Sequence, residues 1–186
     1  MNLILAVSGA TGACAAERLM KKSPWPVALV ASEWGKNVYQ RECGDFGALA
    51  ALAARVFDDA DLAATISSGS VPTAGMVILP CSTNTLAKVA HGIADTLITR
   101  AAHCHLKEGR KLVLCVRESP WTRIDFQNAA EVAAAGGIVM PLSPPFYQAA
   151  GRDPRTVTMV DLLDLFADRV LAVLGHAAPA NWETVS

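Results

Sequence analysis

Short, wholly apolar runs alternate along this chain with helix-favouring segments, and the turns after those runs are rich in glycine or hydroxyl residues. Together these features predict an α/β protein: a mostly parallel sheet covered by helices on both faces, giving three layers. With 186 residues, 52% hydrophobic and 18% charged, there is apolar material for one sizeable core, so residues 1–186 are read as a single domain with a tail from about residue 176.

The first element is "NLILAV" from Asn2, apolar on both faces as a buried parallel strand must be. "GACAAERLMKK" follows with the Ala, Glu, Leu and Lys of a helix. "PVALVA" from Pro26, "MVILP" from Met76, "KLVLCV" from Lys111 and "GIVMPL" from Gly137 repeat the strand signal. "RAAHCHLK" reads as a helix, and "FQNAAEVAAAGG" as another that stops at Gly136 and Gly137. "VDLLDLFADRVLAVLG" from Val160 spaces Leu, Phe and Val helically and stops at Gly175. Two stretches look irregular: "SSGSVPTAG" from Ser67 and "PPFYQAAGRDPRT" from Pro144. Ligands of an open parallel sheet collect at the carboxyl ends of its strands, here the turns after Val7, Ala31, Pro80, Val116 and Leu142. The irregular stretches are candidate walls of that site.

A net charge of −1 leaves no broad basic field, which excludes nucleic acid and anionic membrane surfaces as expected partners. No apolar run reaches the roughly 18 to 20 residues of a membrane span, and the chain enters its first strand without a basic leader. The five cysteines are odd in number and sit in or beside apolar segments, unlike a secreted disulfide framework. A soluble, reduced, cytoplasmic protein is expected. "HCH" at His103 to His105 is not expected to hold a metal, because adjacent helical residues point about 100° apart.

"SGATG" from Ser8 carries Gly9 and Gly12 as G-x-x-G, so it is neither the dinucleotide fingerprint nor a P-loop. A strand-to-helix turn leaves the first helical N–H groups unpaired, able to bind a phosphate without a basic side chain. It is equally compatible with a tight connection that holds nothing. "PCSTNT" from Pro80 offers Ser82, Thr83, Asn84 and Thr85 either as plain helix caps or as anion ligands. Arg100 and Lys107 are seven apart on one helical face, and Arg117 and Glu118 follow a strand directly. These four form either a solvated surface or a polar anion pocket.

Taken together, "AVSGATGA", "SSGS", "MVILPCSTNTLAKVAHG", "LITRAAHCHLKEGRKLVLCVRESP" and "PPFY" resemble the UbiX-type flavin prenyltransferases over residues 2 to about 175. The resemblance implies a Rossmann-like (flavodoxin-like) sandwich that binds FMN and joins it, reduced, to the dimethylallyl group of dimethylallyl phosphate. The prenylated FMN then serves a UbiD-type decarboxylase, and the enzyme assembles as a dodecamer with sites between subunits. By resemblance Gly9, Ala10, Thr11, Ser32, Ser82, Thr83, Asn84, Thr85 and Arg117 contact FMN, and Tyr147 and Arg169 contact the donor. Arg100 and Lys107 neutralise the donor phosphate without a metal, while Thr11, Glu42, Lys107 and Glu118 serve the chemistry and Trp182 looks like a family tryptophan. The chain departs from the pattern in an insertion over 148–159, in Asp125 and in Gly109. Two other functions fit less well. The related FMN-dependent cysteine decarboxylases need a histidine that "TISSGSVPTAG" lacks, and a non-catalytic FMN-binding subunit has no use for Arg100, Lys107, Glu118 and Tyr147 together.

Overall fold

The structure is a computed structural model and describes residues 1–177. Six strands form one wholly parallel sheet: β1 (Asn2–Val7), β2 (Val27–Ala31), β3 (Arg55–Asp58), β4 (Thr73–Cys81), β5 (Leu112–Val116) and β6 (Ile138–Val139). Their spatial order is β3-β2-β1-β4-β5-β6. This is the Rossmann order, with the chain reversing direction across the sheet between β1 and β4 and leaving a crevice beyond their carboxyl ends.

Side chains alternate across the sheet, as the pleat requires, until an irregularity after Ile78 turns Cys81 to the face of Ile78. Leu3, Leu5, Val7, Leu29, Val77, Leu79 and Val113 face one core, packed by α1 (Cys14–Lys22), α2 (Glu33–Glu42), α3 (Phe46–Ala51) and α7 (Met159–Val173). Ile4, Ala6, Val30, Met76, Ile78, Leu112 and Leu114 face the other, packed by α4 (Thr83–Ala90), α5 (Leu97–Lys107) and α6 (Arg123–Ala134). Two-sided burial explains why β1, β2 and β5 read as unbroken apolar runs. α7 lies along α1, where Arg18 meets Asp164 at 2.6 Å and Lys22 meets Asp168 at 2.8 Å.

The five expected strands are all present, though "GIVMPL" is regular only at Ile138 and Val139. Beyond them the N–H groups of Met140 and Leu142 still reach the β5 carbonyls of Leu114 and Val116. The edge strand β3 was not expected, because its sequence RVFD buries only Phe57 and shows no apolar run.

The cysteines need a correction. Cys14 and Cys43, 29 residues apart, form a disulfide, while Cys81, Cys104 and Cys115 are free and buried. Sequence spacing carried no sign of this pair, which forms because the start of α1 and the end of α2 meet in space. Among the described residues no helix is long and apolar enough to cross a membrane.

Candidate functional site

Ser8 ties the two strands of the crevice together: its hydroxyl donates to the Pro80 carbonyl at 3.0 Å and accepts from the Ser82 N–H at 2.8 Å. Three helices then begin around one cavity. Ser32 caps α2 through the Gly35 N–H, Ser82 caps α4 through the Thr85 N–H, and Thr96 caps α5 through the Thr99 N–H. Of the first three N–H groups of α4, that of Thr85 is thus engaged, leaving those of Thr83 and Asn84 without an acceptor among the described residues.

Two glycines allow α2 to sit this close. A Cβ on Gly9 would stand 2.6 Å from the Trp34 Cβ, and one on Gly35 would press into the Val7 carbonyl. The resulting cavity, about 260 Å³, is lined by Gly9, Ser32, Trp34, Asp59, Ser82, Asn84, Thr85, Lys88, Thr96, Ile98 and Thr99. At its rim Lys88 bonds the Asp95 carboxylate at 2.8 Å, and this hydrogen bond holds the Asp95 carboxyl below its usual range. Asp59 accepts from the Ile98 N–H at 2.8 Å, filling part of the start of α5.

The start of α1 behaves differently from the sequence expectation of an open anion turn. The Glu42 carboxylate already accepts from the Gly12 N–H at 2.9 Å and from the Ala13 N–H at 2.8 Å. A carboxylate is favoured at a helix N-terminus as a phosphate would be, so this helix start is satisfied from within the chain. Around the cavity, the N–H groups still open among the described residues include those of Thr83 and Asn84 at α4 and of Glu33 and Trp34 at α2. Arg117 lies close by, its N–H on the Cys81 carbonyl and its Cγ 3.9 Å from where a Gly12 Cβ would be. Ala10 is buried and Thr11 exposed on the same turn.

The structure therefore brings together Gly9, Ser32, Ser82, Asn84 and Thr85, with Thr83 opening α4 beside them and Ala10, Thr11, Glu42 and Arg117 at the adjoining turn. It does not bring Arg100 and Lys107 to this cavity within one chain. α5 starts there but runs toward the opposite edge of the sheet, and its 11 residues carry Lys107 about 15 Å away at 1.5 Å per residue. Arg100 Nε donates to the Ser67 carbonyl at 3.1 Å, and Lys107 bonds Glu108 at 2.8 Å, holding the Glu108 carboxyl below its usual range. The expected single pocket of Arg100, Lys107, Arg117 and Glu118 is thus divided. Glu118 is exposed and accepts from the Ser119 N–H at 2.9 Å. Tyr147 lies in a 3-10 turn (Phe146–Ala149), Arg169 is exposed on α7, and Trp182 falls outside the described residues.

Sequence reasoning missed Trp34, Asp59, Lys88, Thr96 and Thr99. Thr96 and Thr99 carried a usable signal, a hydroxyl-x-x-hydroxyl pair opening a helix that here forms a reciprocal capping box. Asp59 carried none, since it follows the unexpected β3.

Comparison with known proteins agrees with this fold. The flavoprotein family profile matches residues 1–170. The flavin prenyltransferase UbiX of Deinococcus radiodurans is 45% identical over 182 residues, covering 96% of this chain and 90% of its own length. The crystal structure of AnUbiX (PadA1) in complex with FMN and dimethylallyl pyrophosphate superposes with a TM-score of 0.87 at 35% identity, covering 95% of this chain and 93% of that one. A dodecameric FMN-dependent UbiX-like decarboxylase from Escherichia coli O157:H7 superposes at 0.86 with 38% identity, covering 97% of this chain and 98% of that one. A cavity ringed by helix starts at the switch point of a 3-2-1-4-5-6 sheet, with near full-length relatives of one kind, places this chain in the flavoprotein family, in its UbiX branch.

Proposed function

We propose that this chain is a flavin prenyltransferase, transferring the dimethylallyl group of dimethylallyl phosphate to reduced FMN for use by a UbiD-type decarboxylase. The carrying observation is the cavity itself: open N–H groups at the starts of α4 (Thr83, Asn84) and α2 (Glu33, Trp34), hydroxyls from Ser32, Ser82 and Thr85, and a bare Gly9 wall. These suit a tail with a single phosphate and a polyhydroxyl chain, which is the build of FMN. Gly9, Ala10, Thr11, Ser32, Ser82 to Thr85 and Arg117 hold it. Reduced FMN supplies the nucleophilic ring atoms to which the dimethylallyl carbon is joined.

The remaining residues act on the donor. As its carbon–oxygen bond breaks, negative charge grows on the leaving phosphate, and Arg100, Lys107 and Arg169 neutralise it with Tyr147 alongside. Glu118 gives the phosphate a proton, and Thr11 and Glu42 keep the α1 turn set for the reaction. Because α5 carries Lys107 away from its own chain's cavity, the donor side is completed by a neighbouring copy in a homo-oligomer, a dodecamer like that of the Escherichia coli relative. The three free thiols suit a cytoplasmic setting, and the Cys14–Cys43 disulfide stands against it.

Anaerobic incubation with reduced FMN and dimethylallyl phosphate or diphosphate, followed by mass spectrometry of the flavin, tests the proposal. Flavin heavier by one dimethylallyl group is expected. Unmodified flavin with both donors, on protein that demonstrably binds FMN, overturns it.

A further inference from the structure

The disulfide and the sealed helix start lie side by side. Cys14 opens α1 and Cys43 caps α2, with Cα atoms 5.7 Å apart. The residue before Cys43 is Glu42, whose carboxylate holds the N–H groups of Gly12 and Ala13 immediately before Cys14. One disulfide and two charge-assisted hydrogen bonds therefore pin the same two points of chain. α2 starts against the cavity at Ser32 and ends here, so it crosses over the strand ends and joins the cavity to the brace. Cys14 and Cys43 are both half-buried.

We propose that the Cys14–Cys43 disulfide is a positioning brace for the flavin-binding turn, and that thiol reductants lower FMN affinity by releasing it. With the bridge closed, Glu42 is held next to its two N–H donors at high effective concentration, and the turn from Gly9 to Ala13 keeps one geometry. Opening the bridge removes the covalent tie, leaving this helix end held by the backbone bond from the Cys43 N–H to the Tyr39 carbonyl and by packing of Tyr39 and Cys43 on the core. The chemistry is thiol–disulfide exchange. A thiolate of a dithiol attacks one sulfur, the S–S bond breaks and a mixed disulfide forms; the second thiol closes the reductant's own disulfide. Two electrons and two protons pass from the dithiol to the pair, which becomes two thiols. Cys14 and Cys43 act only through Glu42 and the turn.

The inference rests on the FMN reading, so its test carries one readout without flavin. Protein prepared in air and protein equilibrated with dithiothreitol are alkylated after denaturation; three and five reactive thiols are expected, and five in both overturns the proposal. Hydrogen exchange of the ligand-free protein then reads the brace: the amides of Gly12 and Ala13 exchange faster after reduction, and unchanged rates overturn it. FMN titration reads the consequence, with Kd rising about three- to tenfold on reduction, a fraction of what loss of a charge-assisted hydrogen bond brings. The Cys14→Ser/Cys43→Ser variant matches the reduced protein and ignores the reductant. Glu42→Gln binds FMN less tightly and responds less to reduction. Equal Kd in both redox states, with the bridge shown to open, overturns the proposal while leaving FMN binding intact; absence of FMN binding in either state instead strikes the FMN reading, and hydrogen exchange still decides the brace.

Discussion

Replacing Gly35 with alanine tests how the cavity is built. The new Cβ would meet the Val7 carbonyl, standing 2.9 Å from its carbon and 3.3 Å from the Ser32 Oγ. Carbon–carbon contacts are comfortable at about 3.5 to 4.0 Å, so the start of α2 must retreat by roughly 0.6 to 1 Å. Val7 belongs to a central strand bonded on both sides, and its backbone cannot yield as the tip of a flexible side chain would. The overpacking cost therefore lies near the upper end of the usual range, about 3 kcal/mol. Against it stands the gain of about 1 kcal/mol from replacing glycine inside a helix. A net loss of about 2 kcal/mol in unfolding free energy is expected. The retreat also draws Ser32 and Trp34 back from Gly9, and loss of one neutral hydrogen bond of about 1 kcal/mol weakens FMN about fivefold. Denaturant unfolding and a flavin fluorescence titration measure both. A variant as stable as the parent, with unaltered FMN affinity, refutes the claim that this close approach shapes the site.

Three further outcomes are expected. Glu118→Gln leaves FMN bound but lowers single-turnover prenylation by about a hundred- to ten-thousandfold, the range of a general acid; near-normal turnover removes Glu118 from the chemistry. Lys107→Ala or Arg100→Ala raises the KM for dimethylallyl phosphate by about one to two decades, as loss of a charge-assisted bond does, with little change in FMN affinity; equal losses for both ligands show that these residues are misassigned. His105 is 2% exposed, and burial lowers its pKa from 6.5. The unfolded chain therefore takes up the proton first as pH falls, so this contribution to stability is complete above about pH 6.5 and is lost below it. Denaturation midpoints at about pH 8 and about pH 5.5 should differ more for the parent than for His105→Gln, and equal differences would show that His105 is not responsible.

The sheet was legible because its central strands are buried on both faces, and two-sided burial writes itself as an uninterrupted apolar run such as NLILAV or LVLCV. The edge strand RVFD and the helix EWGKNVYQRE were not, since each buries few residues and owes its place to neighbours. The two turns of the cavity were legible as SGATG and PCSTNT, yet their division of labour was not. That the first is stoppered by Glu42, 30 residues from Gly12, is a long-range contact with no local pattern. The same holds for Cys14 and Cys43, and for the gap between Lys107 and the cavity, which follows from the direction in which α5 runs.

The convergence of α2, α4 and α5 on one cavity has a consequence for how the site tolerates change. The starts of α2 and α4 present permanent backbone dipoles, which do not titrate and are already oriented before any ligand arrives, whereas the start of α5 already holds the Asp59 carboxylate. Substituting one lining hydroxyl removes one hydrogen bond and leaves the field standing. Moving a helix by an ångström weakens the field itself. Evolutionary drift at Ser32 or Thr99 is thus cheaper than a single methyl group at Gly9 or Gly35, neither of which carries a polar side chain.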